Sequence, residues 1–119
     1  MTGASSEPEI EAFASCWNSG DYFTAHEVLE GLWTRHRDDG LQGLIQLAVA
    51  LYHIERGNLR GAAIMIGRAR RRLANPRNTP YGIDLKAMDE YAARVGMALE
   101  SADAGEPQTV ISARPRLPI

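Results

Sequence analysis

Two histidines and one glutamate are the residues of this chain whose types and spacing best suit metal or acid–base chemistry. His26 and Glu30 are four positions apart, so a helix would place both side chains on one face, one turn apart. His53 follows Gln46 by two helical turns in the next apolar segment. Two imidazoles and a carboxylate from facing helices can hold a divalent metal with an open coordination position. Gln46 or Glu27 would then hold a water bound to that metal.

The same residues allow two other interpretations. Without a metal, a His–Glu pair in a dry cleft can transfer protons near neutral pH or bind a small ligand. Alternatively, Glu30 contacts His26 or His53, and Gln46 and the Trp33 indole complete a buried hydrogen-bond network that sets the register of two helices. Because an unpaired polar group is costly to bury, we favour the network. A metal-dependent hydrolase or oxidase is the alternative.

Positive charge is concentrated between residues 56 and 77, which contain seven arginines and no acidic residue. Arg60, Arg68, Arg71 and Arg72 recur near multiples of a helical turn and would gather along one side of a helix. Such a strip could bind an acidic partner protein or the phosphates of RNA. The alternative interpretation is a solvated face with no binding role. No aromatic residue is interleaved for base stacking, and the net charge of −2 adds no general affinity for nucleic acid.

Size and composition fit one globular domain, with 119 residues of which 45% are hydrophobic. Cys16 is the single cysteine, which rules out an internal disulfide and indicates a reduced, cytoplasmic setting.

Three glutamates precede the first apolar stretch, the wrong charge for a signal peptide. The apolar run over residues 44–54 is too short to span a bilayer, so we expect no membrane partner. Twelve arginines against one lysine indicate a bacterium with a GC-rich genome.

Glycine, proline and capping residues divide the chain into five predicted helices. Asp21 and Asn58 are placed to cap the second and fourth helices. The predicted helices cover approximately residues 8–18, 22–36, 41–56, 59–74 and 84–101. Three prolines after residue 102 indicate a mobile tail. The sequence therefore predicts one helical domain over residues 1–102 and a tail over residues 103–119.

The two inner turns of the chain repeat each other at an offset of 37 positions. Gly20-Asp21-Tyr22 aligns with Gly57-Asn58-Leu59, and Ala25 aligns with Ala62. Each unit is a helix, a turn and a second helix, which predicts two units in a tetratricopeptide-like arrangement. Two units are too few for a free-standing solenoid, so the fifth helix should close the exposed end. An array with an open end also allows a homodimer.

The apolar pattern predicts an all-α fold, a compact bundle of about five helices. Residues 41–54 are apolar nearly all round, which is typical of a central buried helix. The aromatic residues of the first three helices fall at core spacings. We expect the core to contain Phe13, Trp17, Tyr22, Phe23, Trp33 and Tyr52.

Two longer segments resemble a known family. Residues 17–33 contain AHEVLEGLW, and residues 43–58 contain GLIQLAVALYH followed by the Gly-Asn turn. Together they are similar to the bacterial, archaeal and plastid family catalogued as domain of unknown function 309, over roughly residues 10–75. The resemblance implies a compact helical bundle and no established activity. The sequence has two repeated helix pairs and no nucleophile motif, phosphate-binding loop or cysteine cluster. The leading hypothesis is therefore a non-enzymatic helical module that binds a protein partner through its tetratricopeptide-like surface.

Overall fold

The structure is a computed structural model that describes residues 8–74, 82–101, 103 and 105–118. Within these residues the regular secondary structure is entirely helical, which confirms the predicted all-α class. The helices are α1 (Pro8–Ser19), α2 (Tyr22–His36), α3 (Asp39–Glu55), α4 (Leu59–Leu73), α5 (Leu85–Glu100) and α6 (Glu106–Ile111). The first five correspond to the predicted helices, and α6 was not predicted. No helix in the described ranges is long and apolar enough to cross a membrane.

Side-chain caps determine where four of the helices begin. Asp21, Asp38, Asn58 and Asp84 each accept a hydrogen bond from the backbone N–H three residues further on, at 2.9 to 3.2 Å. The caps predicted at Asp21 and Asn58 are confirmed. The third helix begins at Asp39, two residues earlier than predicted, because Asp38 caps it instead of opening a separate turn.

The central helix is α3, as its apolar run predicted. It packs between α2 and α4, while α1 packs on α2 and α5 packs on α4. The turn between α1 and α2 contains Gly20, and the turn between α3 and α4 contains Gly57. The φ angles of these glycines, 85° and 79°, are strained for other residues. The chain thus forms a sequential array of antiparallel helices.

A glycine permits the close contact between α3 and α4. Gly43 is buried, and a Cβ atom built on it would lie 2.9 Å from Cγ and Cδ2 of Leu73 and 3.0 Å from Cβ of Arg72. Leu73 is itself 3% exposed and belongs to the core. The Leu73 side chain therefore occupies the space that a larger residue at position 43 would need.

Residues after 102, where the sequence predicted a mobile tail, pack onto the bundle in the described part of this segment. The helix α6 contacts α5 and α3, and Ile111 and Leu117 are buried in the core. The indole Nε1 of Trp17 donates a hydrogen bond to the carbonyl oxygen of Pro115 at 2.8 Å. Among the described residues, position 102 therefore does not separate a packed domain from an unpacked tail.

Residues 114–118, which we call the clamp segment, are held at the carboxyl end of α1. The Asn18 side chain donates to the Leu117 carbonyl at 2.9 Å and accepts from the Leu117 N–H at 2.8 Å. Arg114 donates to the carbonyl oxygens of Trp17 and Asn18 at 2.9 and 2.8 Å. Carbonyls at a helix end lack intrahelical donors and attract a cation. The clamp segment thus supplies hydrogen-bond donors to the carbonyl groups at the end of α1.

Trp17 lies at the centre of an aromatic core group. Its ring meets those of Tyr22 and Tyr91 edge-on, with centroids 5.6 and 6.1 Å apart. The core positions predicted for Phe13, Trp17 and Tyr22 are confirmed, whereas the prediction for Phe23 is wrong, because this residue is 45% exposed. Adjacent residues of a helix point about 100° apart, so Phe23 cannot share the buried direction of Tyr22.

The hydroxyl groups of Tyr22 and Tyr91 are both buried, but only one of them is paired. Tyr91 Oη donates to the Val110 carbonyl at 2.9 Å, whereas the Tyr22 hydroxyl has no hydrogen-bond partner among the described residues. Burial raises the pKa of Tyr22 to about 12, opposed by the nearby charge of Arg114. Burial also raises the pKa of Tyr91. Each tyrosine therefore keeps its proton to a higher pH in the folded state than in the unfolded state.

Matched phenylalanine substitutions should separate these two hydroxyls. Tyr91→Phe is expected to lower the free energy of unfolding by about 1 kcal/mol, since the hydrogen bond from Tyr91 Oη to the Val110 carbonyl is lost. Tyr22→Phe should leave it unchanged or raise it by a similar amount, because an unpaired hydroxyl no longer has to be buried. Urea denaturation of the two variants checks this pair, and equal losses would contradict the assignment.

The raised pKa of Tyr22 also predicts a pH dependence. Its contribution to stability is complete below the unfolded pKa of about 10 and is lost as the pH rises toward the folded value, because the unfolded state ionises first. The wild-type free energy of unfolding should therefore fall between those two pH values. Urea denaturation across this window should show a smaller fall for Tyr22→Phe, and an unchanged fall would contradict the prediction.

Candidate functional site

The two candidate histidines belong to one partly exposed aromatic cluster on α2 and α3. The ring of Phe23 lies 5.0 Å from that of His26 and 5.3 Å from that of Tyr52, and the ring of Tyr52 lies 6.3 Å from that of His53. The packing of α2 against α3 thus brings both histidines to the same part of the surface. We call Phe23, His26, Tyr52 and His53 the aromatic cluster.

The predicted metal ligands do not come together. Across residues 8–74 and the other described ranges, no group of three His, Cys, Asp or Glu side chains is placed to hold a metal ion. Glu30 and Glu27 are exposed, and a ring nitrogen of His53 lies 3.4 Å from the side-chain amide of Asn58. The described residues therefore do not show His26, Glu30 and His53 as one ligand group, and metal binding by these residues stays a prediction.

The predicted buried network is not formed either. His26 Nδ1 and Gln46 Oε1 are buried without a hydrogen-bond partner in the described part of the chain. The Trp33 ring stacks with the guanidinium of Arg37, at 4.4 Å from the ring centroid, and Glu30 is exposed. The site thus retains two polar atoms whose hydrogen-bonding capacity is unused.

The outward face of α4 is a basic strip. Four exposed residues follow one another at helical spacing, opposite the buried face of the helix. We call these residues the α4 surface strip: Arg60, Ile64, Arg68 and Arg71. Ile64 is 50% exposed, so an apolar side chain lies between arginines one turn away on either side.

Two further arginines of α4 are neutralised within the chain. Arg72 was predicted to belong to the partner-binding strip, but it forms an ion pair with Asp39 at 2.9 Å. Arg70 pairs with Asp89 of α5 at 3.1 Å. These pairs connect α4 to its neighbouring helices and leave less charge for a partner than the sequence alone indicated.

The guanidinium groups of the three arginines in the α4 surface strip are unpaired within the described residues. Arg60, Arg68 and Arg71 form no ion pair or hydrogen bond through their side chains with any residue of the described ranges. Arg77, the last arginine of the predicted basic segment, lies outside the described residues. The strip therefore combines unpaired guanidinium groups with one exposed aliphatic side chain.

A surface pocket of about 350 Å³ lies beside the clamp segment, and no sequence pattern indicated it. It is lined by Asn18, Ser112, Arg114 and Arg116. Two arginines would suit an anion, but Arg114 already donates to the carbonyl oxygens of Trp17, Asn18 and Ile111. We assign this residue to holding the clamp segment.

Comparison with known proteins locates the chain among uncharacterised relatives. An uncharacterized protein of Aquifex aeolicus (strain VF5) is 32% identical over 100 residues, which cover 80% of this chain and 30% of that protein. The uncharacterized protein YpuF of Bacillus subtilis (strain 168) is 50% identical over 46 residues, covering 35% of this chain and 26% of YpuF. The chain thus spans less than a third of the length of either relative. No solved structure is significantly similar.

Residues 10–65 match the model of a family described as "Domain of unknown function (DUF309)". This range covers α1 to α3 and the first half of α4. It includes His26, Gln46 and His53, and it ends just after Ile64. Because the range contains both motifs singled out in the sequence, the predicted resemblance to this family is confirmed over residues 10–65.

Proposed function

We propose that this chain is a protein-interaction module that binds an acidic segment of a partner protein on the α4 surface strip. The observation that carries the proposal is the set of three exposed, unpaired arginines around the exposed Ile64. Arginine forms forked contacts with carboxylates, and arginines beside an apolar centre are typical of protein interfaces. The aliphatic side chain would anchor the partner while the arginines select for acidic residues.

A protein partner explains this surface better than RNA does. The strip has an isoleucine at its centre and no aromatic side chain on which a base can stack. The net charge of −2 also provides no broad positive field for a polynucleotide. RNA bound through residues 56–77 is therefore an outcome that would contradict the proposal.

The architecture supports a binding role more than a catalytic one. Two helix pairs at a 37-residue offset support a tetratricopeptide-like arrangement, in which stacked helices expose extended surfaces. The single cysteine, Cys16, which is free, supports a reducing cytoplasmic setting.

Site-specific crosslinking tests the proposed interface. A photoreactive amino acid at position 64 should capture a partner whose crosslinked segment is rich in Asp and Glu. The combined variant Arg60→Glu, Arg68→Glu, Arg71→Glu should reduce capture roughly tenfold or more, because close like charges oppose binding. Lys86→Glu, an equivalent reversal at an exposed position of α5, is the matched control and should leave capture unchanged. Unchanged capture by the combined variant, or capture of RNA, would contradict the proposal.

A further inference from the structure

We infer that the acidic partner of the α4 surface strip is α2 of a second copy of this chain, in a two-fold symmetric dimer. This inference rests on the proposed function and names its partner. The chain offers a basic outward face on α4 and an acidic outward face on α2, and the spacing of Phe23 and Glu27 on α2 matches that of Ile64 and Arg60 on α4.

The outward face of α2 carries one exposed aromatic residue and two exposed carboxylates. Phe23 is 45% exposed, and Glu27 and Glu30 follow it at four and seven positions, so all three point to one side of the helix. Neither glutamate forms an ion pair with another residue of the described ranges. This face therefore presents apolar surface next to unpaired negative charge.

The exposed phenylalanine is already held in position. Its ring contacts those of His26 and Tyr52, with centroids 5.0 and 5.3 Å apart. A side chain that is ordered before binding loses less conformational entropy when a partner covers it. Phe23 thus has the properties of an interface anchor on the acidic face.

The spacing of the two faces fits an antiparallel contact. Glu27 lies four residues after Phe23, and Arg60 lies four residues before Ile64. When two helices cross in opposite directions, a step forward on one corresponds to a step backward on the other. Placing Phe23 of one copy on Ile64 of the other therefore brings Glu27 opposite Arg60.

The order of the helices makes this contact compatible with closed symmetry. Consecutive helices joined by short turns run antiparallel, and both α2 and α4 pack on α3, so α2 and α4 run in the same direction. A two-fold axis perpendicular to these helices reverses that direction in the second copy. The same operation forms the α2–α4 contact twice and closes the dimer.

Charge exchange between the two faces tests the dimer with the full chain. Light scattering should give a mass of twice 13.1 kDa for the wild type. Glu27→Arg and Arg60→Glu should each raise the dimer dissociation constant roughly tenfold to a hundredfold, because each places like charges together twice. An equal mixture of the two variants, and the chain that carries both substitutions, should recover dimerisation. Lys86→Glu should have no effect.

Three results would overturn the inference: a monomeric wild type at about 100 μM, a dimer insensitive to both reversals, or reversals that are not rescued by exchange. Circular dichroism should show that each variant is folded.

Crosslinking from position 64 distinguishes the two proposals. Capture of the Phe23 segment of a second copy supports the dimer. Alternatively, position 64 captures only a different acidic protein, and Arg68→Glu and Arg71→Glu abolish that capture. This result would overturn the dimer but would still support the proposed function.

Discussion

Replacing Trp17 with alanine is expected to lower the free energy of unfolding by about 3–5 kcal/mol, the usual range for a buried aromatic residue. The side chain is fully buried, meets the rings of Tyr22 and Tyr91, and donates a hydrogen bond to Pro115. The substitution therefore leaves a cavity and removes an anchor of the clamp segment. Urea denaturation followed by far-UV circular dichroism measures the loss without depending on tryptophan fluorescence.

Two comparison variants separate the causes of this loss. Trp17→Phe keeps much of the ring packing but removes the indole N–H, so we expect a smaller loss, of about 1–3 kcal/mol. Trp33→Ala truncates a tryptophan that is only partly buried and should cost less than Trp17→Ala. If Trp17→Ala and Trp33→Ala lower the free energy of unfolding equally, the central position of Trp17 adds no stability beyond that of a partly buried tryptophan.

Replacing Gly43 with alanine is expected to lower the free energy of unfolding by about 1–3 kcal/mol, the cost of overpacking a core. The added methyl group would lie 2.9 Å from Leu73 and 3.0 Å from Cβ of Arg72. Relief requires a shift of the buried Leu73 side chain or a separation of α3 from α4. Chemical denaturation of the purified variant measures the effect.

The matched control is Gly31→Ala on α2. A Cβ atom at position 31 has no heavy atom within 4 Å, and the residue is exposed within the helix. Alanine is a better helix former than glycine, so this variant should gain about 0.5–1 kcal/mol. The same substitution is thus expected to lower the free energy of unfolding at position 43 and to raise it at position 31. A loss at both positions would contradict the assignment of Gly43 to a close helix contact.

The helices of this chain were predictable because their signals are local. Asp21 and Asn58 lie at caps whose hydrogen bonds reach only three residues along the chain. The apolar run of α3 predicted a central helix because a helix buried on nearly every side has few polar positions. Short-range geometry therefore accounts for most of the fold within residues 8–74.

The candidate site depends on contacts between helices, which the sequence does not define. His26 and Glu30 do share a side of α2, but residues four apart differ by about 40° in direction. That rotation suffices to bury Nδ1 of His26 while Glu30 remains exposed. His53 lies near Asn58, at the next turn of the chain. Periodicity indicates a face, but it does not define the rotation of one helix against the next.

The clamp segment was missed for a different physical reason. Its hydrogen bonds involve the backbone groups of Pro115 and Leu117, which every sequence possesses and which therefore leave no pattern. Its buried side chains are few and lie among prolines, a composition that is typical of a tail. The specific side chains are Arg114 within the clamp segment and Trp17 and Asn18 at the other end of the chain.

These clamp contacts also have a consequence for how the protein folds. They join residues 96 to 99 positions apart, so they raise the contact order of an otherwise local array of helices. Ordering so long a loop costs entropy that the first helix pairs do not have to overcome. The helices can thus assemble from neighbour to neighbour, while the contact between α1 and the clamp segment must close last. The amide hydrogen of Leu117 would report that closing step in hydrogen exchange.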